Sequence, residues 1–148
     1  MSVCFRLLGN VEDAKDLAQE TFVQGYLGLK TFRADSRFST WIYRIAVNLC
    51  LTTLRRRPPI AELLEPSVPD SGPTPHDALA RRERARSANR ALERLSPDLR
   101  VAVVLRDMLG FSYAEIAAAC DVPLGTVKSR ISAARVALRR LLEGTDEL

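Results

Sequence analysis

Histidine and cysteine are almost missing from these 148 residues: there is one histidine, His76, and three cysteines, Cys4, Cys50 and Cys120. No C-x-x-C pair occurs, and three cysteines this far apart suit neither a zinc ligand set nor a disulfide framework. Each is expected to be a small apolar side chain in a reducing compartment. No apolar run approaches the roughly 20 residues that a membrane helix needs. The opening Met-Ser-Val-Cys-Phe-Arg-Leu-Leu-Gly does not have the layout of a signal peptide, so a cytoplasmic location without membrane insertion is expected. An alternating strand pattern, a phosphate-binding glycine loop and a nucleophile–base pairing are also missing, and His76 with Asp70, Asp77 and Glu83 makes no catalytic set. The expectation is a protein that is not an enzyme, with no catalytic residue, no metal and no cofactor.

Charge and proline are present but unevenly placed. The formal net charge is +4. Residues 1–57 carry nine basic and five acidic side chains, residues 58–75 none and three, and residues 76–148 thirteen and ten. Two basic blocks therefore flank an acidic connector, which suits a polyanionic partner such as nucleic acid. Six of the eight prolines (Pro58, Pro59, Pro66, Pro69, Pro73 and Pro75) fall in that connector, which reads as an extended linker. The blocks themselves read as helical. Asn10 is a plausible cap for a helix from Val11 to Leu29, a second helix runs from about Ser39 to Arg56, and Lys30–Arg37 forms a loop between them. After the linker come a helix from Asp77 to Leu95 and another opened by Ser96-Pro97 and ended by Gly110. The expected fold is all-α, with two small helical domains joined by a Pro-rich linker.

The segment from Gly110 to Arg135 is the most specific. Ser112 and Glu115 form a capping box, so a helix starts near Tyr113. Asp121, Val122 and Pro123 end it, and Pro123 suits the first position of the next helix. There, Val127, Ile131, Ala134, Leu138 and Leu141 make one buried stripe, while Lys128, Ser129, Arg130 and Ser132 fall on other faces. Two short helices with a tight turn, the second basic near its N-terminus, describe a helix-turn-helix with its recognition helix in a major groove. An ordinary helical hairpin with a solvated basic face shares the pattern.

Elsewhere, Asp16, Gln19, Glu20 and Val23 share a helix face, with Ala14, Leu17, Ala18 and Phe22 free to turn inward. On the Ser39–Arg56 helix, Ile42, Ile45, Leu49 and Thr52 form an inward stripe, and Arg44, Asn48, Leu51 and Arg55 form a second one. Phe32, Phe38 and Trp41 are either core or a stacking platform, core being the favoured reading for Trp41. Arg55-Arg56-Arg57 complements a helix C-terminus or suits duplex phosphates.

Both blocks, in this order, resemble the extracytoplasmic-function (ECF) group of bacterial RNA polymerase sigma factors. Glu12-Asp-Ala-Lys-Asp-Leu-Ala-Gln-Glu-Thr-Phe22 and Phe32-Arg-Ala-Asp-Ser-Arg-Phe-Ser-Thr-Trp-Ile-Tyr-Arg-Ile-Ala-Val-Asn48 look like sigma region 2. Leu95-Ser-Pro-Asp-Leu-Arg100 through Arg135 looks like region 4. Relatives carry about one more helix ahead of Leu7-Leu8-Gly9, and Ala133 stands where many have arginine. The resemblance implies residues 1–57 as a region 2-like domain, 58–75 as the linker and 76–148 as a region 4-like domain. It implies a transcription initiation factor whose partners are core RNA polymerase, promoter DNA and an anti-sigma factor. Asp16, Gln19, Glu20 and Val23 would meet the polymerase. Phe32, Arg33, Asp35, Ser36, Arg37, Phe38, Arg44, Asn48 and Arg55 would take the minus-10 element as a single strand, by stacking, edge hydrogen bonds and phosphate contacts. Thr126, Lys128, Ser129, Arg130 and Arg135 would read the minus-35 element, with Arg130 suited to guanine and Arg139 to phosphate. A stand-alone helix-turn-helix regulator is the alternative.

Overall fold

In a computed structural model of the protein, residues 2–33, 35, 37–57 and 75–144 are described. Among them the elements are helical: α1 Ser2–Leu8, α2 Val11–Gly28, a 3₁₀ turn Leu29–Thr31, α3 Phe38–Arg56, α4 Pro75–Glu93, α5 Pro97–Val103, a π-turn Val104–Met108, α6 Tyr113–Cys120 and α7 Leu124–Glu143. No helix among the described residues is long and apolar enough to cross a membrane. The linker expected over 58–75 lies, as far as residue 74, outside the described residues; Pro75 already belongs to α4.

Local chemistry accounts for the helix ends. The Asn10 side chain accepts from the backbone N–H groups of Glu12 and Asp13, at 2.9 and 3.1 Å, capping α2. Ser112 Oγ accepts from the Glu115 N–H at 3.1 Å and opens α6. Asp121, at φ 55°, closes α6 in the left-handed conformation. Pro123 is the N-cap of α7, one position earlier than expected, since a residue in its extended conformation (ψ 151°) is not yet helical. Gly9, at φ 71°, turns the chain between α1 and α2, and a Cβ there would also strike the Glu93 carboxylate of α4.

The two halves share one core. Leu7 of α1, Val47 and Cys50 of α3, Leu105 of the π-turn, Ile116 of α6 and Ile131 of α7 are all inaccessible and belong to one cluster. Helix α3 packs against α1 and α2 on one side and against α5 and α6 on the other. At the seam Arg100 is buried, yet its guanidinium donates to the carbonyls of Leu92, Glu93 and Leu95 at 2.7, 2.6 and 3.3 Å and to that of Leu7 at 2.8 Å. One cation thus satisfies the ends of α4 and of α1, helix termini that burial would otherwise leave unpaired. Burial pulls its pKa below the usual arginine value, opposed by the nearby Glu93 charge.

Three expectations are corrected. The buried residues of α3 are Ala46, Val47, Cys50, Leu51 and Leu54, not the stripe Ile42, Ile45, Leu49 and Thr52; Thr52 is exposed. A helix packed on two sides buries two adjacent stripes, so Leu51 leaves the outward face assigned to it. Phe22 is 68% exposed, and Thr21 takes the inward place, its hydroxyl donating to the Leu17 carbonyl at 2.7 Å. Trp41 is half-buried rather than core, because its outer face meets Phe32 and Phe38 instead of the interior.

Candidate nucleic-acid interface

The loop after α2 and the first turns of α3 build an aromatic group. The rings of Phe32, Phe38 and Trp41 lie 5.1 to 5.7 Å apart, in edge-on or tilted contact. Gly28 lets the indole approach the α2 backbone: a Cβ there would sit 3.3 Å from the Trp41 ring. Phe38 is 53% exposed, and Arg33, Asp35 and Arg37 are exposed around it. Ser36 lies outside the described residues. Arg44 and Asn48 continue the surface along α3, both exposed. The chemistry is that of a stacking platform edged by cations and an amide, suited to unpaired bases.

Arg55, two turns beyond Asn48, is engaged. Its guanidinium donates to Asp98 of α5 at 2.8 Å. The other oxygen of Asp98 lies 3.9 Å from Arg130 of α7. A single carboxylate therefore joins the last cation of the α3 face to the foremost arginine of the recognition helix. Tyr43 and Phe111, edge to face at 5.1 Å, close the same seam. Arg56 is exposed, whereas Arg57 donates to the Leu8 carbonyl at 3.1 Å and pairs with Asp13, so the end of the arginine run fastens α3 to α1 and α2.

On α7, Lys128 and Ser129 are exposed and Thr126 is half-buried, its carbonyl accepting from Ser129 Oγ at 3.0 Å. Val127, Ile131 and Ala134 are buried beneath them and Leu138 and Leu141 partly so, which gives the expected stripe. Arg135 is held by a bidentate pair with Asp107, at 2.6 and 3.0 Å. That hydrogen bonding keeps the Asp107 carboxyl below the usual carboxylate range. Arg139 is exposed.

On α2, Asp16, Gln19, Glu20 and Val23 are exposed together. Sequence reasoning missed how that face continues. Tyr26 and Leu27, exposed by 79% and 72%, stand three and four residues beyond Val23. The same helical spacing that grouped the first four would have found them. Acidic and apolar surface thus adjoin, in the manner of a protein-docking patch. Among the described residues no group of three His, Cys, Asp or Glu side chains could hold a metal.

Two helical halves, one with an aromatic loop and one with a helix-turn-helix, define the class of two-domain transcription factors. Residues 1–58 match the family described as Sigma-70 region 2, and residues 85–138 match Sigma-70, region 4. The chain is 34% identical to the ECF RNA polymerase sigma factor SigW of Bacillus subtilis, over 95% of its own length and 81% of that protein. It is 42% identical to the ECF RNA polymerase sigma-E factor of Escherichia coli K12, over 85% and 72%. The sigma factor RpoE of Bartonella quintana, solved with the anti-sigma factor NepR, superimposes with a TM-score of 0.77 at 27% identity, covering 96% of this chain and 88% of that one. CnrH, solved with the cytosolic domain of CnrY, gives 0.70 at 29%, covering 95% and 79%. The chain belongs to the ECF group of RNA polymerase sigma factors, with region 2 and region 4 domains. It acts in transcription initiation with core RNA polymerase, which supplies the chemistry, and no enzymatic activity belongs to the family.

Proposed function

We propose that this sigma factor takes the melted minus-10 strand on the Phe32–Phe38–Trp41 platform, with Arg33, Asp35, Ser36 and Arg37 around it and Arg44, Asn48 and Arg55 continuing along α3. The exposed aromatic group beside exposed cations carries this reading: an unstacked base needs a ring to lie on and an edge partner to identify it. Thr126, Lys128, Ser129 and Arg130 read the minus-35 duplex, and Arg135 and Arg139 take phosphates. The α2 face of Asp16, Gln19, Glu20 and Val23, extended by Tyr26 and Leu27, docks on core polymerase. Residues 58–74 separate the two readers, and their acidic groups occupy a positively charged cleft of the polymerase. The factor works in the cytoplasm and is held by an anti-sigma factor, a reading supported by the arrangement it shares with sigma factors solved in such complexes. Promoter reading requires the two halves to part, because Arg55 and Arg130 meet at one carboxylate while they are docked.

Permanganate footprinting with Asn48→Ala tests the central assignment. The variant loses open-complex signal on duplex promoter and recovers most of it on a pre-melted bubble if Asn48 assists melting. An equal defect on both templates assigns Asn48 to base recognition instead, and wild-type signal on both removes it from the site.

A further inference from the structure

Cys4 and Cys50 are far apart in sequence but adjacent in the fold. Cys4 sits on α1 and Cys50 on α3, helices in direct contact, and the two side chains are 1% and 0% exposed. The two thiols are close enough to act on each other's ionisation. Cys4 also lines a cavity of about 160 Å³ between α1, α2 and α3, whose other walls include Ala18, Thr21, Tyr43 and Ala46 and whose rim is the exposed Phe22. A space of that size admits several water-sized molecules. It therefore gives a small oxidant a route to a sulfur that surface exposure alone would hide.

We propose that Cys4 and Cys50 are an oxidant-responsive pair, in which a hydroperoxide entering this cavity oxidises Cys4 and Cys50 closes a disulfide that ties α1 to α3. The Cys4 sulfur attacks one peroxide oxygen and the O–O bond breaks. With hydrogen peroxide the other oxygen leaves as water, taking up the thiol proton, and Cys4 becomes a sulfenic acid. The Cys50 sulfur then attacks the Cys4 sulfur, the S–O bond breaks, and the departing hydroxyl takes the Cys50 proton as a second water. In sum, two thiols and one hydrogen peroxide give one disulfide and two waters, and a dithiol reverses the bond by exchange.

The surroundings favour Cys4 as the attacking sulfur. The neighbouring Cys50 brings the Cys4 thiol down to about 7, against the opposing effect of burial, whereas Cys50 is driven up by that neighbour and by burial. The thiolate is the reactive form, and these surroundings favour it at Cys4 over Cys50. Cys120 is an internal control, since burial pushes it up to about 11 and it has no cysteine neighbour in either half of the fold.

The test uses the full chain, reduced, desalted and treated with hydrogen peroxide near neutral pH. Intact mass should fall by two hydrogens, peptide mapping should join Cys4 to Cys50, and Cys120 should stay alkylatable. Loss of the Cys4 thiol should run at least about tenfold faster than that of Cys120, and should slow as the pH is lowered below about 7. Cys50→Ser should trap a dimedone-reactive sulfenic acid at Cys4, with helicity checked by circular dichroism. Cys120-linked dimers forming first, or equal oxidation rates at Cys4 and Cys120 in the wild-type chain, overturn the proposal without recourse to any variant.

Discussion

Arg100 shows how much one side chain can hold. It is 5% exposed, and its guanidinium meets four carbonyls from both halves of the molecule. Arg100→Met keeps bulk but leaves those acceptors without their donor, at a cost on the order of 3 kcal/mol. Urea unfolding should show a clearly lower midpoint for Arg100→Met than for the native protein. Arg100→Lys should fall between them, since an ammonium keeps the charge but not the fork that reaches four partners. A second residue-scale prediction concerns acid. Asp107 has its folded pKa depressed by Arg135. Its stabilisation is therefore present above the unfolded carboxylate value, about 3.9, and lost as the pH falls through the lower folded value. The gap in urea midpoint between the native protein and Asp107→Asn should be present near neutral pH and close in strong acid.

At the scale of elements, two glycines with nearly the same backbone conformation should respond differently. Gly9 and Gly110 have φ of 71° and 72°. A Cβ at Gly110 meets nothing within 4 Å, whereas one at Gly9 collides with Glu93. Gly110→Ala should cost about 1–2 kcal/mol, the left-handed penalty alone. Gly9→Ala should cost slightly more, because the Glu93 carboxylate, the free end of a flexible side chain, must also swing aside; side-by-side urea titrations compare them. The element boundaries were largely legible in the sequence, because the signals are local: Asn10 and Ser112 cap the helices they were expected to cap, and the α7 stripe is buried where its spacing says. What was not legible depends on docking between distant segments. The inward face of α3 was misassigned because periodicity presumes one buried side, and α5 and α6 cover a second. Asp98 offers no hint in sequence that it lies between Arg55 and Arg130, nor do Cys4 and Cys50 that they lie on contacting helices. Of the expected site, Arg44, Asn48, Lys128 and Ser129 are on display, while Arg55, Arg130 and Arg135 are each beside a carboxylate.

For the whole molecule, the shared core predicts cooperative behaviour. Calorimetry should show one unfolding transition for the full chain; two resolved transitions would mean that the seam adds little. Asp98→Ala removes the carboxylate between the two readers and exposes both cations. Its affinity for a promoter duplex, measured by fluorescence anisotropy, should rise, with a steeper dependence on salt because more phosphates are neutralised. The two-sided burial of α3 also bears on synthesis. Tyr43, Val47 and Leu51 recur at helical spacing on the face that meets Phe111, but Ile116 of α6 lies 65 residues beyond Leu51 in the chain. At about 5–20 residues per second, a ribosome takes roughly 3–13 s to make that stretch. For those seconds the first half of the protein presents an uncovered apolar face, so nascent chains stalled before α6 should be the ones that recruit chaperones.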